Sequence, residues 1–260
     1  MTRLWKQMWK PVGPLRAFAA TVIAAGLVTA GLAAVAAGLL VPGAGWLRLS
    51  SAQEAAVSLP APAVDLTPPA DAKPQVAVLA GGCFWGVQAV YQHVKGVQRV
   101  LSGYSGGEAG TAHYDEVGSG RTGHAESVEV VFDPKQISYG EILRIFFSVA
   151  HDPTQLDRQG PDWGSQYRSA VFFANTEQQR IAQAYIAQLD KAKAFPKKIV
   201  TRVDALQKFY PAEDYHQDYL ILHPREPYIV YNDLPKIGNL KRVLPEVWRD
   251  SPVTVTASKR

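Results

Sequence analysis

The chain has a single cysteine, Cys83, in 260 residues. No disulfide can form within it, so its stability must come from a buried core. Zinc sites that need two or more thiolates are excluded by the same count. Acidic residues are missing from the first 50 positions, which carry Arg3, Lys6, Lys10, Arg16 and Arg48. Setting those five aside leaves 22 basic against 23 acidic residues over 51–260. The basic balance therefore belongs to the leader, and no nucleic-acid surface is expected. Charge is absent from residues 17–41 as well, a stretch rich in Ala, Leu, Val and Gly and long enough to cross a bilayer as a helix.

Five segments are expected. Residues 1–16 form a basic cytoplasmic segment, and 17–41 a transmembrane anchor or a signal h-region. Residues 42–73 read as a Pro/Ala-rich linker, 74–250 as the catalytic domain and 251–260 as a flexible tail. Ser50-Ser51-Ala52 offers a small-residue cleavage site. The expected location is thus inner-membrane-anchored facing the periplasm, or periplasmic if the leader is cut.

Against this spare background one stretch stands out, Gly81-Gly82-Cys83-Phe84-Trp85-Gly86. Residues 76–80 form a short apolar run that reads as a buried strand. From Phe84 the apolar positions Phe84, Val87, Tyr91 and Val94 recur at helical spacing, and Lys95-Gly96 supplies a stop. Cys83 then falls in a strand-to-helix turn, where free N–H groups and the helix dipole favour a thiolate. Glycines leave room for something to approach the sulfur. The alternative is a lone cysteine acting as a small buried hydrophobe.

Further along, residues 97–104 read as a second strand and 125–132 as the clearest strand of all. Val128, Val130 and Phe132 alternate on one face of the latter, Glu126 shares that face, and Glu129 takes the other. An acid on an apolar face has a raised pKa and can hold a proton near neutrality, unless it pairs with a cation such as Arg121. Ser138-Tyr139-Gly140-Glu141 is a capping box opening a helix. Strand-like 169–174, a long helix capped by Thr176 with Gln179 at the capping-box position, and strand-like 198–203 follow. Tyr210-Pro211 reads as the start of a short helix carrying Tyr215 and His216. The order of elements predicts an α+β fold of split βαβ (ferredoxin-like) type, a mixed sheet with helices packed on it and long loops forming the active site.

Six histidines are present, His93, His113, His124, His151, His216 and His223, and no spacing selects one as a partner for the thiol. His124-Ala125-Glu126 has the H-x-E of zinc deaminases, but their P-C-x-x-C is impossible here. The aspartates after His151 lack calcium-loop spacing. No metal and no cofactor are expected. A lone thiol, flanking aromatics, a buried acid and loop tyrosines suit reduction of a small polar sulfoxide or peroxide. A non-catalytic module that docks oxidised methionine and a Cys–His acyl transferase are the competing readings.

Gly82-Cys83-Phe84-Trp85-Gly86 resembles the signature of the A-type peptide methionine sulfoxide reductases. The likeness continues through Gly103-Tyr104-Ser105-Gly106-Gly107, Thr122-Gly123-His124-Ala125-Glu126, His151-Asp152-Pro153-Thr154, Gln166-Tyr167-Arg168-Ser169-Ala170 and Ala212-Glu213-Asp214-Tyr215-His216-Gln217. The resemblance implies that Cys83 attacks the sulfur of methionine-S-sulfoxide, free or in proteins, and that Glu126 protonates its oxygen. It further implies that Tyr114 and Tyr167 hydrogen-bond that oxygen, that Asp162 is another site carboxylate, and that Gly82, Phe84 and Trp85 bind substrate. His216, though in a matching block, is expected to make a structural contact. Where many members carry resolving cysteines, this chain has Val117-Gly118-Ser119-Gly120 and a tail without thiols. The sulfenic acid left on Cys83 would then be reduced by an external thiol, a thioredoxin-like protein or a small molecule.

Overall fold

The structure, a computed structural model, describes residues 56–255. The expected anchor or signal at 17–41 lies outside the described residues, as does residue 256 onward. Among the described residues no helix is long and apolar enough to cross a membrane.

In chain order the elements are β1 (Gln75–Gly81), α1 (Phe84–Gln92), β2 (Val97–Ser105), the single-turn α2 (Tyr114–Val117), β3 (Ala125–Phe132) and α3 (Tyr139–Ile145). Then come a π turn (Phe146–Ala150), β4 (Arg158–Gln159), β5 (Asp162–Trp163), β6 (Ser169–Phe173), α4 (Thr176–Lys191), β7 (Arg202–Ala205) and β8 (Phe209–Pro211). The short α5 (Tyr219–Leu222), a second π turn (Ile229–Asp233) and α6 (Leu234–Val243) complete the set. Six strands form one sheet in the order β7-β6-β1-β3-β2-β8. Its middle four, β6-β1-β3-β2, are antiparallel neighbours joined through α1 and α3, which is the expected split βαβ arrangement. β7 adds to it in parallel after α4, and β8 closes the other edge.

Alternation explains the sheet. In β3, Glu126, Val128, Val130 and Phe132 are buried, while Glu129 faces outward and pairs with Arg99 at 3.0 Å. Beneath that face lie Leu79, Phe84, Tyr91, Val100, Ile142, Phe146 and Phe147, all fully or almost fully buried. Each such side chain contributes about 1.5–3 kcal/mol on leaving water.

Several expectations change at the edges. Asn175, not Thr176, caps α4, its side chain accepting from Gln178 N–H, because its extended backbone is the one that turns into the helix. Tyr210-Pro211 belongs to β8 rather than opening a helix: Tyr210 pairs with Tyr104, and a 3₁₀ turn at Asp214–His216 follows. The last main strand runs Arg202–Ala205, shifted from the 198–203 expected.

The described part of the expected linker is held to the domain. Leu59 is buried, Val57 N–H donates to Ser148 O at 3.0 Å, and Tyr185 Oη donates to Pro60 O at 2.9 Å. Asp65 accepts from Gly140 N–H at 3.0 Å and from the Ser138 hydroxyl, so it reinforces the N-terminus of α3, which Ser138 already caps toward Glu141 N–H. Low periodicity conceals this strap because it docks through backbone groups and irregularly spaced side chains, Leu59 and Asp65 with Val57, Val64 and Leu66. The start of the expected loose tail is likewise held. Val253 N–H donates to Gln92 O, and Val255 N–H to the buried carboxylate of Asp218.

Candidate active site

β1 delivers the chain to a tight turn before α1. Gly82 has φ +86°, and a Cβ there would come within 2.4 Å of the Gln159 side chain, so only glycine lets the β4–β5 hairpin close over the turn. Gln159 is itself pinned, its amide exchanging hydrogen bonds with the backbone of Asp152. Cys83 occupies the N-cap of α1, as the spacing predicts.

The sulfur's surroundings differ from the expected exposed thiolate. Cys83 is only 7% exposed. Burial pushes its pKa well above the ordinary thiol value, and the carboxyls of Asp233, Glu126 and Asp162 push in the same direction, with Lys236 opposing. A helix N-terminus is worth about 0.3–1 kcal/mol to an anion, less than the cost of removing a thiolate from water. Part of the helix's donor capacity is also taken, because Phe84 N–H donates to Glu126 Oε2 at 3.0 Å. The resting group is therefore a thiol.

Glu126 is 4% exposed, and its partner is that backbone amide, one residue from the cysteine, rather than Arg121. Burial raises its pKa to about 8, with Phe84 N–H opposing and Asp162 and Asp233 adding to the rise. At pH 7 it is a neutral acid within the site.

Tyr114 opens α2, and its backbone is fixed by Glu213, which accepts Tyr114 N–H at 3.0 Å and the Tyr104 hydroxyl at 2.9 Å. Tyr167 ends a 3₁₀ turn. Burial and the nearby Glu126 hold both phenols protonated, and Cys83 adds to the shift at each. Neither hydroxyl has a hydrogen-bond partner among the described residues, so both can donate to a ligand. Asp162, on β5, accepts a hydrogen bond from the Tyr228 hydroxyl, and burial raises its pKa.

Of the two aromatics after the cysteine, Phe84 is 1% exposed and packs on Tyr104 and His216, so it serves as the floor under the site. Trp85 is the more accessible one. It stacks on Tyr219 with centroids 3.8 Å apart and meets Tyr228 edge-on at 6.0 Å. Its indole N–H donates to His216 Nδ1 at 3.1 Å, which puts the imidazole proton on Nε2. Burial lowers the His216 pKa to about 4, so the ring stays neutral and orients Trp85.

Tyr228, Asp233 and Lys236 reach the site from beyond the sequence blocks that carry the resemblance. With Cys83, Gln159, Asp162 and Tyr231 among its walls, Lys236 lines a recess of about 20 Å³, room for about one water. The i,i+3 spacing of Asp233 and Lys236 was legible, but nothing local shows that the segment folds back over α1. Among the described residues no cluster of three His, Cys, Asp or Glu side chains is spaced for a metal.

The chain matches the family described as peptide methionine sulfoxide reductase over residues 75–247. A protein of Mesorhizobium japonicum named "Peptide methionine sulfoxide reductase MsrA 2" is 58% identical over 71% of this chain and 94% of its own length. Its Synechocystis namesake is 52% identical over 71% of this chain and 87% of its own. Among solved structures, reduced Mxr1 of Saccharomyces cerevisiae aligns with a TM-score of 0.53 and 33% identity, covering 60% of this chain and 89% of that one. Methionine sulfoxide reductase A of Corynebacterium diphtheriae aligns with a TM-score of 0.52 and 34% identity, covering 65% and 85%.

Proposed function

The chain belongs to the peptide methionine sulfoxide reductase family and reduces methionine sulfoxide in protein repair; from that premise we propose that Cys83 and Glu126 carry the reaction on the S epimer. The observation that supports this best is the Glu126 carboxyl, protonated at neutral pH and bonded to the amide next to Cys83.

In this reading the sulfoxide oxygen takes a proton from Glu126 and hydrogen bonds from Tyr114 and Tyr167. Sγ of Cys83 attacks the substrate sulfur as the thiol proton passes to Glu126, and a bond forms between the two sulfurs. That S–S bond and the substrate S–O bond then break as the hydroxyl moves to Sγ, so two electrons pass from the cysteine sulfur to the substrate sulfur. The products are methionine and a Cys83 sulfenic acid. Trp85, backed by the stacked Tyr219, offers an aromatic surface to the thioether methyl. Asp162 helps to keep the site acid protonated.

Because Cys83 is the sole cysteine, the sulfenic acid is returned to thiol by two equivalents of an external thiol, from a thioredoxin-like protein or a small molecule. The uncharged stretch 17–41 and the cations before it favour work outside the cytoplasm, with the chain tethered or released by cleavage. Full-length protein incubated with dithiothreitol and each epimer of a dabsyl-methionine sulfoxide tests the chemistry. Reduction of the S epimer alone, lost in Cys83→Ser, is expected. Turnover surviving in Cys83→Ser, or no turnover of the S epimer, overturns it.

A further inference from the structure

The second π turn and α6 bring an ion pair against the first turn of α1 that the steps above do not use. Lys236 Nζ donates to Asp233 Oδ1 at 3.2 Å, and the two side chains are 9% and 0% exposed. Their fit is close: a Cβ on Gly86 would stand 2.1 Å from Asp233 Oδ1 and 3.1 Å from Lys236 Nζ, so glycine one turn into α1 is what admits the pair. A buried pair of this kind seldom stabilises a fold better than apolar residues of the same volume would. Its position relative to the reacting sulfur is therefore the informative feature.

The groups facing Cys83 are Glu126 from β3, Asp162 from β5, Asp233 from the π turn, and Tyr114, Tyr167, Tyr219 and Tyr228 around them. The carboxyls of Asp233, Glu126 and Asp162 oppose a negative sulfur. His151 and His216, which flank the site, are kept neutral by burial, with pKa values of about 3 and about 4. Among the described residues facing the thiol, Lys236 alone brings positive charge, and it shares the walls of one recess with Cys83 and Asp162.

We propose that Lys236 stabilises the thiolate that forms as Cys83 gives up its proton to attack, and that Asp233 is a positioning residue that holds the ammonium in the recess it shares with Cys83. Its role is one of charge alone: it lowers the energy of the thiolate as the proton departs and takes no proton itself. This deepens the preceding reading and rests on Cys83 being the attacking atom.

Alkylation by iodoacetamide reports the thiolate directly, and with one cysteine in the chain the adduct is unambiguous. The rate against pH is measured for the full-length wild type, Lys236→Gln, Lys236→Arg and Lys241→Gln. The last removes an exposed cation from the same helix. Lys236→Gln is expected to move the midpoint up by about one pH unit or more, making alkylation at pH 7.5 about tenfold slower. Its kcat should fall by a similar factor with KM within threefold, Lys236→Arg should regain most of the rate, and Lys241→Gln should match the wild type. If Lys236→Gln fails to fold, Lys236→Met keeps the stem without a new polar group to bury and should show the same shift. A Lys236 variant with wild-type circular dichroism and an unshifted alkylation profile overturns the role of Lys236. Wild-type protein that keeps its reductase activity after complete alkylation would instead overturn the assignment of Cys83 itself.

Discussion

Replacing Glu126 with glutamine separates the proton from the shape. Glutamine keeps the length of the side chain, and its Oε1 can still accept Phe84 N–H, which now meets Glu126 at 3.0 Å. What it cannot do is give a proton to the sulfoxide oxygen. With a pKa of about 8, about nine-tenths of Glu126 carries that proton at pH 7. General acid catalysis of this kind is worth roughly 10²–10⁴ in rate, so kcat should fall by at least about 10²-fold, close to 3 kcal/mol of barrier. Single-turnover production of methionine from the S sulfoxide is the assay, since it excludes the thiol-regeneration step. In the wild type the rate should also fall as pH rises through about 8, and Glu126→Gln should lack that alkaline limb.

Stability follows the same proton. The pKa rises from 4.5 in the unfolded chain to about 8 in the fold, so the native state binds the proton more tightly. Native stability is therefore full below about pH 4.5 and is lost progressively as pH climbs to about 8. The loss amounts to as much as 4–5 kcal/mol on the order-of-magnitude scale of about 1.4 kcal/mol per unit. Glu126→Gln has no such loss. Its thermal midpoint should draw level with or exceed the wild type by pH 9 while trailing or equalling it at pH 5. A variant that retains a third of wild-type kcat, or a stability difference between the two proteins that does not change with pH, would refute the reasoning.

Three further outcomes are expected. Tyr114→Phe and Tyr167→Phe each remove a hydroxyl that has no partner among the described residues, so each should lower kcat by about 10-fold or more while the melting temperature stays within a few degrees, read by the same turnover assay and by calorimetry. Trp85→Phe leaves His216 Nδ1 without its indole donor, which should cost about 1–3 kcal/mol in urea unfolding and raise KM for the sulfoxide. Asp65→Ala removes acceptors for Gly140 N–H and the Ser138 hydroxyl and should cost about 0.5–2 kcal/mol, with kcat unchanged.

Much of this molecule is legible in its sequence. Period-two alternation assigned Glu126 to the buried face of its strand, and burial then follows from the sheet packing on α1. Ser138 as a helix cap and Cys83 at a strand-to-helix turn were equally local signals, and both positions hold. The errors share a cause, which is that neighbours distant in sequence decide the environment. The helix start argued for a thiolate at Cys83, but three carboxyls, one of them from residue 233, and the loss of solvent reverse that preference. Tyr210-Pro211 has a helix-start pattern, yet an open edge of β2 captured it as a strand. Asp233 and Lys236 carry no local mark of membership in the site, since only the return of the chain over α1 brings them there.

The strap that begins at residue 56 changes where the working unit starts. Composition places that start at 74, yet Leu59 is buried in the core and Asp65 holds Gly140 N–H and the Ser138 hydroxyl at the head of α3. A fragment trimmed to 74 would bare the surface that Leu59 covers and strip those two donors of their acceptor, whereas one beginning at 56 keeps both.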